Sequence, residues 1–452
     1  MSFSSLGLND SIVKALVELN YETPTAIQSA AIPAILNGRN VVAMAETGTG
    51  KTAGFVLPLL EHLHANPVVR GKRIRALILV PTRELALQVY ENVCLYSKHL
   101  DLSAMAMFGG VDSEPQKQQL TTGVDIVVAT PGRLLDMLHQ RALYLDELRV
   151  VVLDEADRML DMGFIDAIDN IMERMPATAQ RLLFSATIPQ RVRSLIRDSI
   201  DNAFEINTSK SEASKPAIDQ WLVTVDKDTK SALLSHMVQE FQWNQALIFI
   251  RTKHGAAKLV EQLAKRGIEA ESFHSGRSQP VRTQLMADFK SGKVRFLVAT
   301  GIAARGIDID ELTRVVNYDL PDENDDYIHR IGRTGRAGAI GEAISLVSMD
   351  DFRRLCSIEG KLGHLIIRKE IEGFAPKKIV PVSILSYPPK SRSDKPRSTK
   401  SDSIKNDIGR KSAARPGTRS AGKPDARLKS KPNNKSNSQP NRAQRRAAKF
   451  GA

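Results

Sequence analysis

An α/β fold with two parallel β-sheets flanked by helices is what this sequence predicts, on three observations. Short β-rich apolar runs alternate with longer stretches of helical periodicity through residue 374. Most of these runs are apolar throughout rather than at every second residue, the mark of strands buried on both faces. A polar, small-residue stretch at 207–215 divides the runs into two groups.

In chain order, strands are expected at 41–45, 76–80, 125–129, 150–153 and 182–185, then at 246–250, 295–300, 313–318 and 342–347. Helices are expected at 82–99 and 253–266, among others. The expected organisation is a first domain over 1–206, a linker over 207–215, a second domain over 216–374, and a disordered tail over 375–452. Residues 377–452 carry 21 Lys and Arg against 4 Asp and Glu, a net +17. Since the whole chain is +13, the remainder holds −4. The tail is rich in Ser, Pro, Asn and Lys and cannot bury enough apolar surface to offset ordering entropy. Its dense single-sign charge suits a polyanion.

Several classes are disfavoured. The longest apolar runs are far below the roughly 18 residues that span a bilayer, and residues 1–10 lack a basic segment followed by an apolar one. No membrane association is expected. Cys94 and Cys356 are too few for a disulfide framework or a zinc cluster, and their scarcity fits a cytoplasmic location.

The segment Ala45-Glu46-Thr47-Gly48-Thr49-Gly50-Lys51-Thr52 follows an expected strand and opens an expected helix. It fits the phosphate-loop pattern except that Ala45 stands where the pattern has Gly. Gly48 and Gly50 allow the tight backbone whose N–H groups surround phosphate oxygens at a helix N-terminus. Lys51 then reaches the β- and γ-phosphates, and the Thr52 hydroxyl ligates Mg²⁺. A second carboxylate source for that ion is the strand 150–153, which runs into Asp154-Glu155-Ala156-Asp157. Asp154 is expected to hold Mg²⁺, and Glu155 to orient or deprotonate the attacking water.

The tetrapeptide at 154–157, together with the phosphate loop, resembles the DEAD-box family of superfamily 2 helicases. Further matches follow in order. Asn20-Tyr21-Glu22-Thr23-Pro24-Thr25-Ala26-Ile27-Gln28 resembles the family's Q motif, with Phe3 as its upstream aromatic. Pro81-Thr82-Arg83-Glu84-Leu85, Gly109-Gly110 and Thr130-Pro131-Gly132-Arg133 resemble its first-domain RNA motifs, and Ser185-Ala186-Thr187 its coupling motif. Residues 299–308, ending at Asp308, and 329–336, from His329 to Arg336, resemble motifs V and VI. The closeness of several stretches and the basic extension suggest the bacterial RhlE-like branch.

The resemblance implies two RecA-like domains with ATP, Mg²⁺ and RNA bound across the cleft between them. It implies ATP hydrolysis coupled to RNA strand separation or ribonucleoprotein remodelling. Single-stranded and duplex RNA are the implied partners, with ribosomal and RNA-decay complexes as further candidates. The side chains agree. The Gln28 amide can donate and accept at once, matching the adenine N6/N7 edge; Tyr21 can stack on the base and Thr23 can help hold it. Arg333 and Arg336 suit charge stabilisation on the transferring phosphoryl group, and Asp308 resembles the ribose-hydroxyl acceptor. Asp157, Ser185, Thr187 and His329 would link the nucleotide and RNA sites. Thr82, Arg83, Gly110, Thr130, Gly132, Arg133 and Thr300 suit phosphate and 2′-OH contacts, which position a strand without reading its sequence. Arg251, Gln279 and Arg282 lie in stretches resembling motifs IV and IVa.

Three departures stand out. Asn20 replaces the usual Gly of the Q motif, His274-Ser275-Gly276-Arg277 replaces the common His-Gly-Asp or His-Gly-Asn, and Gly301 replaces the usual Asp of motif V. A DNA helicase and a scaffold without turnover are the competing readings. The RNA-type contact set disfavours the first, and intact Lys51, Glu155, Arg333 and Arg336 disfavour the second.

Overall fold

The computed structural model describes residues 2–45, 48–65, 71–208, 218–304, 312–335 and 341–385. The expected site residues Glu46, Thr47, Asp308 and Arg336 lie outside these, as does the tail from 386 on. Both sheets belong to one compact unit, Met1–Pro389.

The first sheet contains β1 (Val41–Met44), β2 (Ala76–Leu79), β3 (Ala104–Met107), β4 (Ile126–Ala129), β5 (Val150–Asp154), β6 (Gln180–Ser185) and β7 (Phe204–Asn207), in the order β3-β4-β2-β5-β6-β1-β7. The second contains β8 (Ile218–Thr224), β9 (Ala246–Ile250), β10 (Glu271–Phe273), β11 (Phe296–Thr300), β12 (Arg314–Asn317), β13 (Gly341–Val347) and β14 (Ile367–Arg368), in the order β10-β11-β9-β12-β13-β8-β14. All neighbours pair parallel.

The unbroken apolar runs have a simple cause. Successive side chains of a strand point to opposite faces, and each sheet has a core on either side. Ala76, Ile78, Val150 and Val152 enter one core, while Leu77, Leu79, Val151 and Leu153 enter the other. In the second sheet Ala246, Ile248 and Ile250 divide in the same way from Leu247 and Phe249. Full burial of such a side chain contributes about 1.5–3 kcal/mol. The carboxyl ends of β1, β5 and β6 therefore form a rigid rim, the edge at which open α/β sheets bind ligands.

Five strands lack the expected signal. β3 is Ala-Met-Ala-Met and reads as helix former. β10 and β14 are three and two residues long, and β7 and β8 carry polar residues. The boundaries also differ. Asn207 is still in β7, and the Thr208 N–H donates to the Met44 carbonyl, so the first linker residues stay attached to the first sheet. At the other end, residues 375–385 pack on the second domain. Arg368 donates to the Val380 and Pro381 carbonyls, and Val380 and Ser383 are buried. Val380 supplies a buried apolar anchor for this segment, while Val382, Ile384 and Leu385 stay exposed.

Candidate active site

A cleft of about 640 Å³ is lined by Phe3, Tyr21, Gln28, Lys51, Glu155 and Arg333, among others. Its floor is the loop after β1. Gly50 has φ +87°, and a Cβ there would run into the Gln28 amide. Lys51 opens the helix Lys51–His64, is 7% exposed, and donates from Nζ to the Ala45 carbonyl at 2.9 Å. Gly48, also at positive φ, and Thr52 line the same space, and Thr49 presents its carbonyl to the Thr25 hydroxyl at 2.8 Å.

Gln28 is buried, and both ends of its amide are engaged. Oε1 accepts from the Thr25 N–H at 2.9 Å, closing the N-terminal capping box of the helix Ala26–Leu36, and Nε2 donates to the Gly50 carbonyl at 3.1 Å. A carboxamide still has one donor hydrogen and one lone pair beyond these two bonds. Tyr21 is exposed at the cleft, 6.1 Å centroid to centroid from buried Tyr96, and the two hydroxyls lie 3.3 Å apart. Burial pushes the Tyr96 hydroxyl pKa far up. Asn20 has φ 57°, the left-handed backbone that Asn tolerates and Gly would adopt freely. Thr23, Gln88 and Asn92 also line the cleft.

The acids sit at the end of β5. Asp154 is buried, and desolvation raises its pKa to about 7 although Lys51 lies near. Glu155 has φ 51°, an uncommon conformation for a non-glycine residue, and its Oε2 is 3.5 Å from Arg158 Nε. Asp157 is held by Thr187 through N–H and Oγ1 at 2.9 and 2.8 Å, its own N–H donates to Ser185 Oγ, and Ser185 Oγ donates to the Thr187 carbonyl. Burial alone would raise the Asp157 pKa. The Thr187 hydrogen bond, with His329 and Arg158 nearby, outweighs burial and lowers it. His329, from the second domain, is pushed down to about 4 by burial and by Arg158, against the pull of Asp157 and Glu155. Arg333 is buried.

The first-domain residues expected to meet RNA sit at the starts of helices. Thr82 caps Arg83–Tyr96 through its Oγ1, and Thr130 precedes Pro131–His139, whose first turn holds Gly132. Gly110, at φ +76°, lies so near the Arg83 guanidinium that a Cβ would collide with it. Arg133 is tied to Gln116 Oε1 and the Val111 carbonyl. Thr300 ends β11 half-buried.

One pairing went unread in the sequence. Glu84 receives Arg282 Nη2 at 2.9 Å and Gln279 Nε2 at 3.1 Å, joining the two domains through buried groups. Glu84 lies within the Pro81–Leu85 stretch and Gln279 and Arg282 within those resembling motifs IV and IVa, but nothing in the sequence pairs them. Gly301 lies beside Arg330, where a Cβ would stand 3.0 Å from Nη2. Among the described residues there is no cluster of three His, Cys, Asp or Glu that could hold a metal alone. Asp154 and the Thr52 hydroxyl are hard oxygen donors, and a buried carboxylate with a raised pKa gains from an adjacent cation. The residues therefore fit Mg²⁺ supplied with other oxygen ligands.

Comparison with known proteins gives two family matches, to the DEAD/DEAH box helicases over residues 25–195 and to the helicase conserved C-terminal domain over 229–338. The chain is 41% identical over 366 residues to RNA helicase CrhR of Synechocystis, covering 81% of this chain and 73% of that one. It is 38% identical over 406 residues to ATP-dependent RNA helicase DbpA of Bacillus subtilis, covering 89% and 84%. A structure of S. cerevisiae Dbp5 bound to RNA and ADP BeF3 superimposes with a TM-score of 0.73 at 32% identity, covering 82% of this chain and 95% of that one. No helix among the described residues is long and apolar enough to cross a membrane.

Proposed function

The chain belongs to the DEAD/DEAH box helicase family, and we propose that it is an RNA-stimulated ATPase that separates short RNA duplexes or remodels ribonucleoproteins. The observation that carries this reading is the composition of one cleft: Lys51, Asp154 and Glu155 come from the first domain and Arg333 from the second. The solved relative's RNA and nucleotide mimic support the same pair of ligands.

In this reading Gln28 uses its remaining donor and lone pair for the adenine edge, with Tyr21 stacked on the ring and Thr23 beside it. The backbone around Gly48 and Gly50 takes the phosphates. Lys51 leaves the Ala45 carbonyl for the β/γ oxygens. Thr52 and Asp154 would hold Mg²⁺, which neutralises phosphate charge when bound. Glu155 orients the attacking water, and Arg333 and Arg336 stabilise the transferring phosphoryl group, a contribution of roughly 10³–10⁵ in rate. Asp308 takes the ribose. Asp157, Ser185, Thr187 and His329 form the hydrogen-bonded bridge toward the RNA face, where Thr82, Arg83, Gly110, Thr130, Gly132, Arg133 and Thr300 hold the backbone. Two free cysteines suit a reducing cytoplasm.

Phosphate release by the full chain, with and without RNA, tests this. Stimulation by single-stranded RNA and a much weaker response to DNA are expected. Arg333→Ala should lower turnover by about 10³ or more with near-normal ATP affinity, because the group acts mainly in the transition state. Equal stimulation by DNA, or wild-type turnover in Arg333→Ala, would overturn the reading.

A further inference from the structure

Tyr21 carries a hydroxyl that its stacking role does not need, since a phenylalanine ring would lie on a base as well. That hydroxyl has a partner in the wall of the same cleft. Tyr21 Oη and Tyr96 Oη are 3.3 Å apart, and the two rings are tilted by 58° with centroids 6.1 Å apart. Tyr96 is the last residue of the helix Arg83–Tyr96 and lies 75 positions further along the chain.

The two partners differ in freedom. Tyr96 is 2% exposed and shares a core with Leu85, Val89 and Val93 of its own helix. Close packing of this kind holds a ring in one rotamer, so the Tyr96 hydroxyl is a fixed point. Burial, with the Tyr21 hydroxyl beside it, keeps it a neutral phenol that can both donate and accept. Tyr21 is 40% exposed. Its backbone is set by Asn20 at φ 57° and by its own N–H, which donates to the Leu16 carbonyl at 2.9 Å. What remains to be set is the swing of the ring, and the Tyr96 hydroxyl holds the ring at its far end. A swing away from Tyr96 would strip a buried hydroxyl of its partner, which is costly. The separation exceeds the roughly 2.7–2.8 Å usual between hydroxyls, so the bond steers the ring without clamping it.

We propose that Tyr96 is a positioning residue for the nucleotide base, its hydroxyl holding the Tyr21 ring in the stacking orientation before the nucleotide arrives. The proposal rests on the reading of Tyr21 as the residue that stacks on the base. A side chain ordered in advance loses less freedom on binding, so the pair contributes to affinity. Acting through Tyr21 and not on the phosphates, Tyr96 bears on KM more than on kcat.

The test is a double-mutant cycle on the full chain, with ATP affinity read by calorimetry and ATPase kinetics read at saturating RNA. Tyr21→Phe and Tyr96→Phe each keep the ring and delete one side of the bond. Each should weaken ATP binding about two- to tenfold, the worth of one ordered side chain. The double variant should lose no more than either single variant, because all three break the same bond. In Tyr96→Phe the KM for ATP should rise by that factor, with a much smaller change in kcat. Unchanged ATP affinity in Tyr96→Phe would overturn the proposal, whether or not denaturant unfolding showed a loss of stability. Additive losses in the double variant would overturn it as well, since the two hydroxyls would then act separately. Tyr21→Ala checks the reading beneath. If that variant bound ATP as tightly as the wild type, Tyr21 would not stack on the base at all. That result is distinct from a weakened Tyr21→Ala beside an unaffected Tyr96→Phe, which sinks the positioning role alone.

Discussion

The two sheets are built to one plan and filled with opposite chemistry. Position by position, β3-β4-β2-β5-β6-β1-β7 matches β10-β11-β9-β12-β13-β8-β14, so β1 corresponds to β8. Each is followed by a helix that begins with a buried lysine, Lys51 in one case and Lys230 in the other. The segments before them differ. The first is a glycine loop with its lysine parked on a backbone carbonyl. The second, residues 225–229, has no glycine and carries Asp226 and Asp228. Lys230 is already neutralised there by Asp351 at 2.9 Å and also donates to the Tyr318 carbonyl. A shared topology places a buried lysine at the same point of both sheets, and Asp351 neutralises the second. The position of a lysine in a fold says less than what it is paired with.

The sharpest way to break this comparison is to remove each lysine. Lys51→Ala should lower ATP turnover by about 10²–10³ at little cost in folding, since only a carbonyl bond is lost. Lys230→Ala should leave Asp351 buried without its main partner and cost about 3–5 kcal/mol of stability, read by denaturant unfolding. Adding Asp351→Ala should recover part of that loss. If Lys230→Ala abolished turnover while unfolding normally, Lys230 would have a role beyond its pairing with Asp351.

A second measurement concerns what joins the halves. His329 meets Arg158 and Asp157 across the interface with a pKa near 4. Burial lowers this pKa, with Arg158 adding to the effect, so a form in which the domains part and expose the ring would bind the extra proton, and closure should weaken as pH falls from about 6.5 toward 4. At pH 5.5 the penalty is about tenfold in the closing equilibrium. A distance probe between the domains should report this, and His329→Gln should flatten the pH dependence. An unaltered profile in that variant would assign the sensitivity elsewhere.

The smallest effect expected is at Gly301. An Asp there would set a carboxylate against Arg330, whose Nη1 donates to the Asp319 carbonyl at 2.9 Å. The RNA concentration for half-maximal ATPase should fall several-fold, provided Arg330 shifts by a few tenths of an ångström. No change in Gly301→Asp would mean that the missing carboxylate does not limit coupling.

Much of this was legible because the chemistry is local. The phosphate loop, the acids after β5 and the Q-motif segment each place their groups within nine residues of one another, and runs such as 150–153 announce a doubly covered strand. Glu84 with Arg282 was not legible, since the partners are 198 positions apart and ordinary for a helix surface. β3 was hidden because Ala and Met carry no strand preference, and the parallel pairing of β3 with β4 makes the strand. The double engagement of Gln28 was hidden in another way. Its fit to adenine follows from the amide, but its bond to Gly50 follows only from how the loop folds.

The helix Arg83–Tyr96 touches both ends of this chemistry. Its 14 residues make a rod of about 21 Å. Its first turn carries the Glu84 clasp to the second domain, and its last turn carries Tyr96 against the Tyr21 ring. Leu85, Ala86, Val89, Val93 and Tyr96 all enter one core along its length. A rod seated from end to end moves as a unit, without a pivot. A displacement of Glu84 by the second domain would therefore be carried to Tyr96 and the cleft wall at Tyr21 by the backbone of a single helix, with no intervening side chain asked to change its rotamer.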